Sequence, residues 1–546
     1  MSKNLNAQTA DPADAAALDF DAIVVGAGFA GIRTLYELRE LGLRVRVVES
    51  GSDVGGTWFW NRYPGARTDS ESWVYAFRFS TEVLNEWSWS ERYPTQPEVH
   101  RYLSYVTEKF DLRKDMQFNT QLVAATFDED SETWLATTDA GETYRTRFLL
   151  TGLGHQSHPY RPPFPNLDSF QGKWYQSARW PHEPVDFTGK RVAVIGTGAS
   201  GVQIIPLVAQ QAEHVIVFQR TPNWVIPSGN HSLGEEDWTE IRSNYDAIWE
   251  KVFNQPYALP FNAANRKPSD VTPEEQEKIL EHAYKQGGFR YLFEAFDDVQ
   301  GDEESNRATS GFLRKKIHEI VRDPATAELL SPQYPLLAKR PPLGHSYYET
   351  FNRDNVTLVD VSRNPLVDAT RNGLRTADTE YEVDVIIFAT GFDAVTGSYR
   401  SIDLIGRGGV HLLDKWREGP RTNLGAMVDD FPNLFLVGGP HVPFANIPVV
   451  IDREVRWIGR TIARMLEQEQ RFIEPTTEAT DKWTSLIPEL LDGTLLVRGA
   501  AVNSWFLGAN IPGKPVGALS YHGGAGNYFA ALDQEFDDGL PGFVRR

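Results

Sequence analysis

Two glycine-spaced turns constrain this chain more than any other feature of it. Asp21-Ala-Ile-Val-Val is a short apolar run that ends in Gly26-Ala-Gly28-Phe-Ala-Gly31. Leu35, Leu38 and Leu41 follow at helical spacing, and Leu43-Arg-Val-Arg-Val-Val-Glu49 then alternates as a strand does. The same grammar returns at Arg191-Val-Ala-Val-Ile, then Gly196-Thr-Gly198-Ala-Ser-Gly201, a helix from about Ser200, and Val215-Ile-Val-Phe-Gln-Arg220. A GxGxxG pattern alone is weak in a chain with 44 glycines. Placed between a strand and a helix it has a mechanism. The first glycine makes the tight turn, the second admits a pyrophosphate to the backbone, and the third lets helix pack on strand. The helix N-terminus, worth about half a positive charge, then faces the phosphates.

The chain is therefore expected to be an α/β protein of two Rossmann-like dinucleotide-binding domains, for FAD and for NADP, with a helical insertion. Polar, charge-rich residues from about Gly229 to Pro332 carry helical segments at Trp238–Phe253, Pro273–Tyr284 and Gly311–Val321. Gln333–Phe351 reads as a loop, Val356–Val361 and Tyr381–Thr390 as strands, and Leu434–Val437 as a further buried strand. The expected organisation is a disordered lead at 1–18, a discontinuous FAD domain at 19–150 and 385–546, an NADP domain at 151–228 and 333–384, and the insertion at 229–332. The lead has neither a basic start nor an apolar stretch, so it does not read as a signal peptide. With no apolar run long enough to span a membrane, a cytoplasmic location is expected.

The two units differ where it matters chemically. Glu49 ends the second strand of the first and can accept from ribose hydroxyls. Arg220, followed by Thr221, holds the matching place in the second. A carboxylate there would repel a ribose 2′-phosphate by roughly 1–4 kcal/mol at about 4 Å, whereas an arginine forks onto it. The first unit thus suits FAD and the second NADPH. Two dinucleotides in one chain imply electron transfer between them. The absence of cysteine excludes a redox-active pair, disulfides and thiolate metal sites, so O2 is the natural acceptor. The scattered histidines lack metal-ligand spacing, and no metal is expected. A net charge of -20 argues against nucleic acid as a partner.

Longer segments carry a resemblance. Gly56-Thr57-Trp58-Phe-Trp-Asn-Arg-Tyr63-Pro-Gly-Ala-Arg67-Thr-Asp69, Lys339-Arg340 with Tyr347-Tyr348-Glu349, Ala389-Thr-Gly391, and Ser504-Trp505 through Lys514 resemble the motifs of Type I Baeyer–Villiger monooxygenases. So does Phe170-Gln-Gly172-Lys-Trp-Tyr-Gln176-Ser-Ala-Arg-Trp180-Pro181, except that Gln176 stands where that family has histidine. Glutamine can donate and accept but cannot become cationic. The family position lies in the interdomain linker, so Gln176 is not expected to be catalytic. The resemblance covers about Asp21 to Gly542. It implies oxygenation of ketones, cyclic or aliphatic, to esters or lactones with NADPH and O2, by way of a C4a-peroxyflavin.

By the same resemblance, Gly56, Thr57, Trp58, Arg67, Asp69 and Tyr75 face the flavin. Arg340, paired with Asp69, is the active-site arginine. Lys339 helps hold the NADPH phosphate, Trp505 meets bound NADP, and Gly508 and Gly513 hinge a lid. The alternatives are a flavin monooxygenase attacking nitrogen or sulfur, and a non-catalytic flavoprotein. Ring size, regiochemistry and oligomeric state are not written in these motifs.

Overall fold

The computed structural model describes residues 17–546, so most of the expected disordered lead lies outside the described residues. Two sheets organise the chain. The first has eight strands and the second five. In the first, Phe20–Val25 lies between Val45–Val48 and Thr143–Thr151, parallel to both. Leu122–Asp128, Thr133–Thr138 and Thr143–Thr151 form an antiparallel meander. Leu434–Leu436 pairs in parallel with Thr143–Thr151. In the second, the order is Val356–Asp360, His214–Gln219, Arg191–Ile195, Val385–Phe388, Lys173–Gln176, all parallel.

Each sheet has a topological switch point where the chain leaves a central strand in two directions. In the first it lies between Phe20–Val25 and Thr143–Thr151, in the second between Arg191–Ile195 and Val385–Phe388. The helices that follow the glycine turns are Phe29–Glu40 and Ala199–Gln211. The first buries Ile32, Leu35 and Leu38 against a core shared with the long helix Ile447–Glu467. Arg33 clamps the two helices through Asp452 at 2.6 Å. The second packs Val202, Ile204 and Ile205 onto Val192, Val194 and Val217.

The insertion is helical, as its composition suggests, with helices at Glu235–Ser243, Tyr245–Asn254, Pro273–Gln286, Arg290–Phe293, Glu303–Ile320 and Pro324–Leu329. Three expectations need correction. Val385–Phe388 belongs to the second sheet, so a boundary at 385 falls a strand too early; its four fully buried apolar residues need sheet neighbours on both sides. Tyr381–Thr390 is two strands. Glu380–Glu382 closes a small antiparallel sheet, and the break comes at Asp384, whose carboxylate accepts from the Arg191 N–H at 2.8 Å. The stretch Gln333–Phe351 is not all loop, since Leu343–Gly344 pairs with Ile226–Pro227 and Tyr347–Thr350 is a helical turn. Among the described residues no helix is long and apolar enough to cross a membrane.

One buried carboxyl makes the fold sensitive to pH. Glu454, on the long helix, is fully buried and accepts from the Gly438 N–H at 2.9 Å. The Tyr528 hydroxyl lies 3.0 Å from its other oxygen and 2.9 Å from the Leu424 carbonyl, with one proton for two acceptors. A neutral Glu454 that donates to Tyr528 satisfies all three groups. Burial pushes its carboxyl up to about 8. The folded chain therefore holds a proton that the unfolded chain releases near its ordinary value of 4.5. Stability is fully present below that value and is lost as pH rises through about 8, by on the order of a few kcal/mol. Thermal unfolding of Glu454→Gln between pH 5 and 8.5 should show a smaller loss of Tm than the wild type. Parallel curves would place the pH sensitivity elsewhere.

Candidate active site between the two sheets

Both switch points open onto one cavity of about 1100 Å³. The backbone there leaves no room for side chains. A Cβ on Gly26, which has φ of +97°, would stand 2.7 Å from the Gly152 carbonyl oxygen. On Gly196, at +108°, it would stand 2.6 Å from that of Ala389. The third glycines have another task. A Cβ on Gly31 or Gly201 would collide with the carbonyl oxygen of Gly26 or Gly196, at 1.7 and 2.1 Å. These two seat their helices against the turns and do not line the cavity. Gly26, Gly28, Gly56, Gly196 and Gly198 do line it, with Thr57, Trp58, Thr197 and Ser200 beside them.

Glu49 reaches the cavity with its carboxylate fixed. It accepts from the Ala27 N–H at 2.7 Å and the Gly51 N–H at 2.6 Å. Across the cavity, Arg220 and Thr221 follow the strand His214–Gln219, and Lys339 arrives from the segment after the insertion. Burial, reinforced by the Arg220 charge, pulls the Lys339 amine down to about 8. An exposed arginine and a half-buried lysine on one cavity wall, with a helix N-terminus that has no acid in its first turn on the same cavity, make a donor set that fits a phosphate.

The loop Trp58–Asp69 is tied to the second sheet's helix Ala199–Gln211. Tyr63 donates to Gln203 Oε1 at 2.8 Å, and Gln203 Nε2 donates to the Arg67 carbonyl at 3.2 Å. A Cβ on Gly65 would meet the Gln203 carbonyl oxygen at 2.5 Å. Arg67 lines the cavity while paired to Glu91 at 3.1 Å, and Trp58 Nε1 donates to the Tyr75 hydroxyl at 3.1 Å. The sequence reading missed Gln203. Its signal was a lone amide inside the apolar run Gly201-Val-Gln-Ile-Ile.

Asp69 ends that loop and forms an ion pair with Arg340, the residue after Lys339. The Asp69 side chain is 6% exposed and that of Arg340 22%. Burial pushes the Asp69 carboxyl up, and Arg340 opposes the shift. The Arg340 carbonyl accepts from Asn223 Nδ2 at 3.2 Å, which anchors the backbone behind it. Trp505 lies against Phe444, edge to face at 5.7 Å, and closes another side of the same cavity. Its loop turns at Gly508 and Gly513, both with positive φ. It is latched by Lys514, which meets Asp393 at 2.5 Å and the Ala394 carbonyl at 2.8 Å. Asn510 adds a bond to the Phe392 carbonyl at 2.8 Å. Gln176 does not line the cavity. It pairs in register with Phe388, and its Nε2 is buried without a partner.

The Flavin-binding monooxygenase-like family pattern matches residues 21–234. A Baeyer-Villiger monooxygenase of Pseudooceanicola batsensis is 44% identical over 96% of this chain and 96% of its own. The chain belongs to the Type I Baeyer–Villiger monooxygenases. Cyclohexanone 1,2-monooxygenase of an Acinetobacter species is 43% identical over 94% of each chain. Phenazine N-monooxygenase of Lysobacter antibioticus is 41% identical over 96% of this chain and 97% of its own. Among solved structures, cyclohexanone monooxygenase from Rhodococcus sp. Phi1 bound to NADP+ superposes with a TM-score of 0.94 at 42% identity, over 96% of this chain and 99% of that one. OTEMO in complex with FAD and NADP gives 0.93 at 40%, over 97% and 100%.

This Baeyer–Villiger monooxygenase is an FAD-dependent oxidoreductase that uses NADPH. The glycine cradle and the Arg220–Lys339 pair fit those two groups. In the free enzyme Lys339 loses its charge as pH rises through about 8. Calorimetric titration should therefore show NADP+ binding weaken above about pH 8, with no matching step for NAD+. Arg220→Ala should cut the preference for NADPH over NADH by roughly ten- to a hundredfold. An unchanged preference would remove Arg220 from the phosphate site.

Proposed function

We propose that this protein inserts one oxygen atom from O2 beside the carbonyl of a ketone, cyclic or aliphatic, giving an ester or lactone at the expense of NADPH. The observation that carries this reading is the Asp69–Arg340 pair, set on the wall of the cavity that both nucleotide turns reach. When bound, FAD takes two electrons from NADPH and activates O2. The first sheet would hold FAD through Gly26, Gly28, Glu49 and the Gly56–Trp58 turn. The second, with its boundary moved past Phe388, would hold NADPH through Gly196, Thr197, Gly198, Ser200, Arg220, Thr221 and Lys339.

The residues around the reacting atoms have separable tasks. Arg340 is permanently cationic and donates from a fixed fork. It would stabilise negative charge as it develops on the substrate carbonyl oxygen. Asp69 would fix the plane of that fork and keep its charge local. Trp505 and the Lys514–Asp393 latch would hold the nicotinamide nucleotide in place and keep water out. Arg340→Ala should retain FAD, measured by absorbance after gel filtration. Ester formation should fall by about 10²–10³, the usual cost of one oxyanion donor. A variant that makes ester at the wild-type rate would take Arg340 out of the chemistry.

A second reading has one specific support, since a relative of similar identity and coverage is named for nitrogen oxidation. Under it, phenazine would be oxygenated in preference to cyclohexanone in side-by-side product analysis.

A further inference from the structure

The cavity continues past Arg340 into an arm walled by the insertion and the C-terminal segment. Leu259, Phe293, Phe444 and Leu496 make it apolar. Asn446 and Asn503 interrupt this wall, and so do two further polar side chains outside the nucleotide turns. The first is Gln300. Tyr257, stacked on Phe293 at 4.2 Å between ring centroids, donates its hydroxyl to Gln300 Oε1. The Gln300 carbonyl accepts from the Leu495 N–H at 2.8 Å. The amide is therefore pinned with its oxygen used, and its N–H₂ has no partner among the described residues, on a side chain that lines the cavity.

The second is His522. It lines the same cavity, and its Nε2 is buried with no hydrogen-bond partner among the described residues. Burial holds the imidazole neutral, with its proton lost at about 4 and above. A neutral ring carries one donor and one acceptor. The two side chains share a frame, because the dipeptide Pro256–Tyr257 joins them. The Pro256 carbonyl accepts from the Ala525 N–H at 2.7 Å, that of Tyr257 accepts from Asn446 N–H at 2.9 Å, and the Tyr257 hydroxyl holds Gln300.

An apolar pocket built for a plain hydrocarbon ketone has no use for these groups, since unpaired buried donors and acceptors oppose its binding. An alcohol satisfies them, accepting from the Gln300 N–H and donating to an imidazole nitrogen. A carboxylate would find no positive charge in either side chain. We propose that the preferred ketone of this protein carries a hydroxyl group remote from the reacting carbonyl, bound by Gln300 and His522. This rests on the ketone-oxygenating reading above.

The test compares matched ketones by kcat/KM. The pairs are 4-hydroxycyclohexanone against 4-methylcyclohexanone, and 8-hydroxyoctan-2-one against nonan-2-one. The wild type should favour the hydroxyketone in at least one pair. In that pair Gln300→Leu and His522→Leu should each lower the ratio about 3- to 10-fold, mainly through KM, the worth of one hydrogen bond. His522→Asn, which keeps a donor and an acceptor, should recover part of it. A wild type that favours the methyl or alkyl ketone in both pairs overturns the proposal without any variant and leaves ketone oxygenation standing. A ratio that neither leucine variant moves, at wild-type flavin content, overturns it too. If the wild type oxygenates none of the four, the functional reading fails and this one with it.

Discussion

The contact on which the rest of the structure depends is the seam between the Trp58–Asp69 loop and the helix Ala199–Gln211. Each nucleotide turn is specified within its own sheet, by glycines that a Cβ would jam. Nothing in either turn sets the distance to the other. That distance is set where Gly65 lies against the Gln203 carbonyl, and where Gln203 bonds both Tyr63 and the Arg67 carbonyl. The seam brings the loop that ends in Asp69 to the segment that carries Lys339 and Arg340. One cavity is then lined by both glycine turns, and under the proposed function FAD would lie on one wall and the nicotinamide nucleotide on the other.

Charge is arranged around that cavity by burial as much as by pairing. Asp69 and Arg340 neutralise each other in a wall that would otherwise reject both. Arg220 and Lys339 do the reverse. They are like charges on one wall, and burial, with the Arg220 charge added, brings Lys339 down to about 8. Under the proposed function a bound phosphate would complete them, and nucleotide binding would then be coupled to lysine protonation. Glu454 applies the same physics in the core, where burial raises its carboxyl to about 8.

Much of this was legible in the chain. The two βαβ units were readable because the glycine spacing and the period change from 2 to 3.6 fall in one short window each. The acid-to-arginine exchange between Glu49 and Arg220 is the sequence basis for telling the two nucleotide units apart, and both residues line the cavity. The glycine turns and the family motifs supply part of the cavity lining, while stretches such as Gly152–His158 and Thr120–Leu122 carry no such signal. What escaped depends on long-range pairing. Val385–Phe388 looks the same in sequence whichever sheet takes it, and only its neighbours Arg191–Ile195 and Lys173–Gln176 assign it. The meander at Leu122–Thr151 has no signal as sharp as a glycine turn. Gln203, Gln300 and His522 are single polar residues in ordinary contexts, and their roles appear only when distant segments close around them.

The central claim is that one oxygen atom from O2 is inserted beside a ketone carbonyl held at Arg340, in the cavity that both glycine turns reach. It is tested most directly by turnover under ¹⁸O2 with NADPH, the FAD-loaded protein and a ketone panel, followed by mass spectrometry. The account predicts ester or lactone carrying one ¹⁸O atom, in proportion to NADPH consumed. NADPH consumption that ignores every ketone and yields only labelled hydrogen peroxide would contradict it.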